Sequence, residues 1–492
     1  MSLTPSEIRL IIIGAMLALF LSALDQTVVA TALPPIAKDL GNFALISWVI
    51  TSYLLTSTCV TPIVGKLSDL YGRRKMLNGC LILFMAGSAL CALAPNMIFL
   101  ILFRALQGLG GGGLITMGQT IIADVVSPRE RGRYAGYFAM VWGSASVLGP
   151  TVGGFVTQFY GWPWIFWINL PVGAAALLIA DRALRKLSVE RHESRIDYAG
   201  VGLLCATTVS LLLVLSLGGK RLPWPSLGMM GMIALTLVLG ALFVLQQLQS
   251  GEPIMPPHFM RDRVIRPVIT TIIIVYGAYL ALAVLVPIYF QIALGRPVGE
   301  AGLLMIPFMV SSTLTANLAG LMTRRSGRYK RPPILGLPIT IVSVTALALF
   351  ATQVSATVAS CILLLAGVGL GPIFPCTTVA AQNAVERRHL GIVSGAVAFA
   401  RALGGALGVA VGSALVLGLA AHALLQIGSV TSLEDLAQHT LSPDVRLAIA
   451  HSFGYLFGAV AFAFALGLAV FLRVEDRELQ TRAPSVTTAA ID

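Results

Sequence analysis

Fourteen apolar runs of roughly 20 residues follow one another along this 492-residue chain, each long enough to cross about 30 Å of hydrocarbon. Lipid cannot satisfy an open backbone N–H or C=O, so such runs must close their own hydrogen bonds as helices. The spans read from the sequence are 11–33, 45–65, 76–94, 98–123, 134–156, 164–181, 198–217, 226–248, 267–291, 301–323, 332–351, 356–380, 391–418 and 446–472. With 57% hydrophobic and only 11% charged residues, the chain has too little charge to cover the surface of a soluble protein. The expected fold class is an all-α membrane protein with 14 transmembrane helices. The first run carries Asp25 and continues into Leu33-Pro34-Pro35 with no small-residue cleavage site, so no cleaved leader is expected.

A formal net charge of +12 would invite a nucleic-acid partner in a soluble chain, but the cations are distributed otherwise. Counting loops alternately from the N-terminus, twenty-six of the 33 basic residues fall on one side. Only Lys38, Lys220, Arg221, Arg296 and Arg446 fall on the other, and Arg104 and Arg401 lie within spans. This positive-inside asymmetry assigns the crowded side, and both termini, to the cytoplasm. The expected location is the cell (inner) membrane, with the bilayer as partner and no nucleic acid.

The six cysteines all lie in apolar runs without a C-x-x-C pair and the six histidines are scattered, so packed thiols and no metal site are expected. No G-x-S-x-G elbow, H-E-x-x-H or Walker sequence occurs, which supports neither a hydrolase nor an ATP-driven pump. The chain is not expected to be an enzyme or to hold a cofactor. Its energy source would be an ion gradient, if transport is not passive.

An internal repeat shows in the loops. Gly65 to Lys75 follows the second span and Gly320 to Lys330 the tenth; their glycines and last basic residues align at an offset of 255. The organisation expected is a six-helix bundle (1–181), a cytoplasmic linker (182–197), two additional helices (198–248), a second six-helix bundle (264–472) and a cytoplasmic tail (473–492). Duplicated halves of this kind hold their solute between them near the midplane.

Asp25 is the acid placed deepest within a span. Nine residues before Pro34, it sits about 13 Å below the outer boundary at 1.5 Å per residue. A carboxylate there costs a few kcal/mol to insert and faces a cavity or a partner. Arg104, about 9 Å deep by the same measure, is the natural partner, on a face shared with Gln107, Gly108 and Gly111. A structural ion pair is the alternative reading. Arg401 is the second mid-membrane cation; it could pair with Asp25, bind an anionic group, or tune a proton site. Glu300, near the outer start of span ten, is a further candidate for proton coupling. Gly108 to Gly113 matches G-x-G-x-x-G, but no strand precedes it and a basic residue stands where the acid belongs. Such glycines permit close helix contact instead. Trp162, Trp164 and Trp167 read as an interfacial belt. Gln107, Gln291 and Trp167 are the side chains expected to meet a substrate.

Together these motifs resemble the major facilitator superfamily, specifically its fourteen-spanner drug:proton antiporter family, over nearly the whole chain. Leu24 to Pro34 is similar to that family's first-helix motif, Gly65 to Lys75 to the inner-loop motif, and Arg104 to Gly108 to the fourth-helix motif. Gly149, Pro150, Gly153 and Gly154 resemble the fifth-helix motif of antiporters. The resemblance implies the major facilitator fold, two six-helix bundles plus two extra helices. It implies a monomer that exports hydrophobic, cationic compounds in exchange for protons by alternating access. Gly65, Asp69, Gly72, Arg73 and Asp124 would form a conformational gate: Asp69 docks on the N-terminus of span thirteen near Gly391, and Arg73 pairs with Asp124. In the second copy Arg324 replaces the acid, so that copy cannot form the same latch. The paucity of buried acids speaks against dications.

Two other readings stand beside this one. Export of a lipid or native metabolite would give the outer segment 419–445, with His422 and His439, a lipid-handling role. A transport-inactive sensor or scaffold is disfavoured by the intact loop motif and the absence of an attached signalling domain.

Overall fold

The computed structural model describes residues 4–42, 45–185, 197–218, 222–254, 256–424 and 443–479. Most of the linker 182–197, of the outer segment 419–445 with His439, and of the tail beyond Leu479 lies outside the described residues, as does the side chain of His422.

Among the described residues, fourteen helices are long and apolar enough to cross a bilayer. We number them α1 (Pro5–Leu40), α2 (Ile46–Tyr71), α3 (Arg73–Ala92), α4 (Met97–Val125), α5 (Pro128–Tyr160), α6 (Trp164–Leu184), α7 (Tyr198–Leu217) and α8 (Leu227–Gln249). They continue as α9 (Ile265–Ile292), α10 (Val298–Ser326), α11 (Arg331–Phe350), α12 (Ala356–Asn383), α13 (Leu390–Leu424) and α14 (Pro443–Leu472). No strand occurs among the described residues, only an isolated bridge between Gly218 and Leu222.

Several helices outrun their apolar stretches. The first is helical through Pro34 and Pro35 to Leu40: proline's φ is one a helix accepts, although each ring removes an N–H from the ladder. The fifth begins at Pro128, the favoured first helical position, and carries Arg129, Arg131 and Arg133 on its first turns. The twelfth is broken at Gly371-Pro372 into Ala356–Leu370 and Ile373–Asn383.

Packing divides the helices as the repeat implies. In the first half α1 packs on α4, α5 and α6, and α4 on α2 and α3. In the second half α9 packs on α13 and α14, and α12 on α10 and α11. The extra pair α7 and α8 pack on each other, and α7 lies against both α2 and α13, at the seam. No hydrophobic core crosses that seam: one runs from Phe259 to Leu479, the others from Ile11 to Leu184.

The halves meet through backbone. A Cβ on Gly65 would run into the carbonyl oxygen of Gly391, and one on Gly395 would lie 2.7 Å from the carbonyl oxygen of Thr61. Across the other contact, a Cβ on Gly132 would lie 2.8 Å from the carbonyl oxygen of Gly320. Both contacts lie on the face that carries the basic loops, hereafter the basic face. Gly65→Ala should therefore cost the closed seam about 1–3 kcal/mol of overpacking, a 5- to 150-fold shift away from closure. Spin labels on the two halves at the basic face should report a longer distance. Gly79→Ala, where a Cβ meets nothing within 4 Å, serves as control; the same distance distribution in both variants would show that glycine does not limit the contact.

Candidate functional site

Asp25 lies on the face of α1 turned toward α4 and α6, in an ionic cluster sealed inside the first half. The side chains of Asp25 and Arg104 are each 1% exposed, and Arg104 Nη1 donates to Asp25 Oδ2 at 2.6 Å. The other carboxylate oxygen accepts from Gln107 Nε2 at 3.0 Å and from Asn169 Nδ2 at 2.9 Å. Gln107 also accepts from Arg104, Asn169 also donates to Ser88, and Arg104 Nε donates to the carbonyl of Val49. The guanidinium lies over the Tyr53 ring, 4.3 Å from its centroid. Gly108 and Gly111 make this possible, since Tyr53 occupies the space that a Cβ on either would need.

The next residue along α1, Gln26, lines a cavity of about 1220 Å³ between the halves. Consecutive helical residues diverge by about 100°, so one helix wall separates cluster from cavity. Helices α1, α2, α4 and α5 supply one side of the cavity and α9, α10, α12 and α13 the other. Its surface is largely apolar, with Gln26, Gln119 and Gln382 and a row of hydroxyls on α2 (Thr51, Ser57, Thr58, Thr61). Tyr276, Tyr279 and Phe374 form an aromatic wall, with Tyr279 and Phe374 5.2 Å apart. The volume exceeds the roughly 300–1,000 Å³ of pockets for drug-sized ligands.

The charged residues of the inner-loop motif sit at the basic face. Asp69 accepts from the N–H of Gly391 at 3.0 Å and of Ile392 at 2.9 Å, capping α13 from the opposite half. Arg73 binds Asp69 at 2.5 Å and Asp124 at 2.6 Å. Gly72, at φ 89°, lets the chain reverse between α2 and α3. In the second copy Arg324 approaches Glu130 at 3.7 Å, and Arg129 donates to the carbonyls of Arg324 and Arg325.

The remaining expected residues disperse. Gly149 and Gly153 face Thr27, Val28 and Thr31 and bring α5 onto α1, whereas Pro150 and Gly154 are exposed. Arg401 lines the cavity and donates to Phe374 O and Thr378 Oγ1, not to Asp25. Glu300 is half-exposed and paired with Arg296 one turn away, so it belongs to the surface. None of the three side chains expected to meet substrate lines the cavity: Gln107 is held by the Asp25 cluster, and Trp167 and Gln291 stand on other faces of their helices. Trp162 is buried and donates to Asp39, so it is no part of an interfacial belt. A cationic substrate would find no carboxylate on the cavity wall among the described residues. Asn169 was missed; an amide beside Pro171 in an apolar span was the available signal.

Two helical halves around a solute-sized cavity, tied at one face by a charged latch, define a membrane transporter. The Major Facilitator Superfamily family model matches residues 15–409, and the chain belongs to that family. It is 36% identical to the multidrug transporter protein MdtP of Bacillus subtilis (strain 168), over 82% of this chain and 74% of that one. It is 32% identical to multidrug resistance protein 3 of the same organism, over 82% and 78% of the two chains. The crystal structure of the human organic anion transporter MFSD10 (TETRAN) shares the fold, with a TM-score of 0.67 at 17% identity over 95% of this chain and 100% of that one.

The cluster should behave as one energetic unit. Asp25→Asn leaves a buried guanidinium unpaired and should destabilise the protein by about 3–5 kcal/mol. The double variant Asp25→Asn/Arg104→Gln should lose less than the sum of the single losses, by roughly 0.5–3 kcal/mol. Thermal unfolding of the purified variants measures this cycle, and additive losses would sink the pairing.

Proposed function

We propose that this transporter exports hydrophobic small molecules in exchange for protons, with Asp25 as the proton-carrying group. The carrying observation is the shared wall: Asp25, with both oxygens committed to Arg104, Gln107 and Asn169, backs directly onto Gln26 of the cavity. Protonation would remove the charge that holds Arg104, and the helix rearranging in response is one that lines the cavity. The names of the two bacillary relatives support drugs as the exported class.

In this reading the basic face is cytoplasmic, by the positive-inside distribution of the loops. Among the described residues, the hydrogen bonds that join the two halves, accepted by Asp69 and donated by Arg129 and Arg131, lie at that face, so the conformation described is closed to the cytoplasm. Solute would enter when those bonds part, with Asp25 deprotonated. Outward opening would then expose the cluster to the acidic side, where protonation would release the solute and reset the carrier. The protein would act as a monomer in the cell membrane, with the proton gradient in place of a cofactor.

Proteoliposomes measure this directly. Substrate-driven proton movement should fall to the level of empty liposomes in Asp25→Asn, while substrate binding to the purified variant persists. Full exchange in Asp25→Asn would mean that the cluster is structural and that the proton travels elsewhere.

A further inference from the structure

We propose that the cavity takes lipophilic acids, compounds with an apolar body and one anionic head, and that Arg401 binds the head. This rests on the export reading and names the substrate class of the same cavity.

The charges on the cavity wall are two guanidiniums, Arg131 and Arg401, with no carboxylate among the described residues. Arg131 is engaged by backbone: it donates to the carbonyls of Ala123 at 2.6 Å, Gln382 at 3.2 Å and Val126 at 3.4 Å. Arg401 differs. Its hydrogen bonds leave from Nη2 alone, to Phe374 O at 3.1 Å and Thr378 Oγ1 at 2.6 Å, and its buried Nε has no partner. No acid pairs with it among the described residues.

Arginine cannot shed its proton to escape this environment, so the charge persists. A half-buried cation without a counter-ion on a largely apolar wall is costly, and what relieves the cost is an anion brought into the cavity. Nη2 is spent on Phe374 and Thr378, so an anionic head would meet the remaining N–H groups of the guanidinium. Hydrogen bonds between two charged groups are the strong ones. Asp25 cannot serve, since its charge is spent on Arg104 within the first half. The aromatic wall of Tyr276, Tyr279 and Phe374 stands on the same side of the cavity and offers an apolar body its contact surface. The opposite wall carries neutral amides and hydroxyls besides Arg131, whose guanidinium is already held by backbone carbonyls.

Binding of a matched series to the purified full-length protein is the test: an arylalkyl carboxylate, its primary amide, and the amine of equal length. A hydrogen bond to a charged group contributes about 1.5–3 kcal/mol, so the carboxylate should bind wild type roughly ten- to a hundredfold tighter than the amide. In Arg401→Gln that preference should vanish while the amide keeps its affinity. Arg401→Lys, which keeps the charge and loses the planar guanidinium, should retain part of the preference. Equal affinities for acid and amide in wild type, a preference for the amine, or a preference that survives Arg401→Gln would each overturn the assignment. Should Arg401→Gln fail to fold, the wild-type series and Arg401→Lys still decide. Transport by the same proteoliposomes separates the two readings. Export of amine or amide without binding of the acid defeats this assignment and leaves export standing. Acid bound through Arg401 but never carried defeats export and leaves the assignment.

Discussion

At the basic face, backbone meets backbone. Gly65 against Gly391 and Gly132 against Gly320 bring main chains of opposite halves within van der Waals reach, with no side chain between them. Lipid tails are as apolar as leucine, so helix association in a bilayer depends on such close packing and on hydrogen bonds. Each half keeps its own apolar core, so little else holds them together. A glycine seam can part without withdrawing interlocked side chains. Among the described residues the hydrogen bonds that join the halves lie at this end, and a carrier's reversibility depends on that economy of contact.

The Asp25 cluster follows a different logic. A buried ion pair contributes little net stability, since desolvation offsets most of its Coulomb attraction. Its effect is to place one protonatable group on the reverse side of helices that line the cavity. Tyr53 joins the cluster through Ser22 and Arg104, and it stands on α2, whose other faces carry the cavity hydroxyls and, near the basic end, Asp69. One helix thus touches the ion pair, the solute space and the latch.

Hydropathy revealed all fourteen helices, because the bilayer demands length and apolarity of each. It misjudged their ends, because α5 stays helical through Arg129 and Arg131 after leaving the lipid. The depth match of Asp25 and Arg104 was legible, since rise per residue alone fixes depth. Azimuth was not: Gln107, Trp167 and Gln291 have suitable chemistry, but neighbouring helices turn them away from the cavity. Asn169 and the aromatic wall depend on which helices meet, and no spacing within one helix encodes that.

The repeat also shows how symmetric geometry can carry inverted chemistry. In one latch the carboxylate of Asp69 meets the N–H groups at the start of α13, where a helix is electropositive. In the other, the guanidinium of Arg129 meets the carbonyls of Arg324 and Arg325 at the end of α10, where a helix is electronegative. The loss of the acid at Arg324 therefore does not leave the second contact open; it exchanges an anion on a helix N-terminus for a cation on a helix C-terminus. The exposed Arg324–Glu130 pair adds little to it. The two contacts respond differently to protons. A carboxylate cap can be neutralised and an arginine cannot, so of these two contacts only the one through Asp69 can be loosened by a proton.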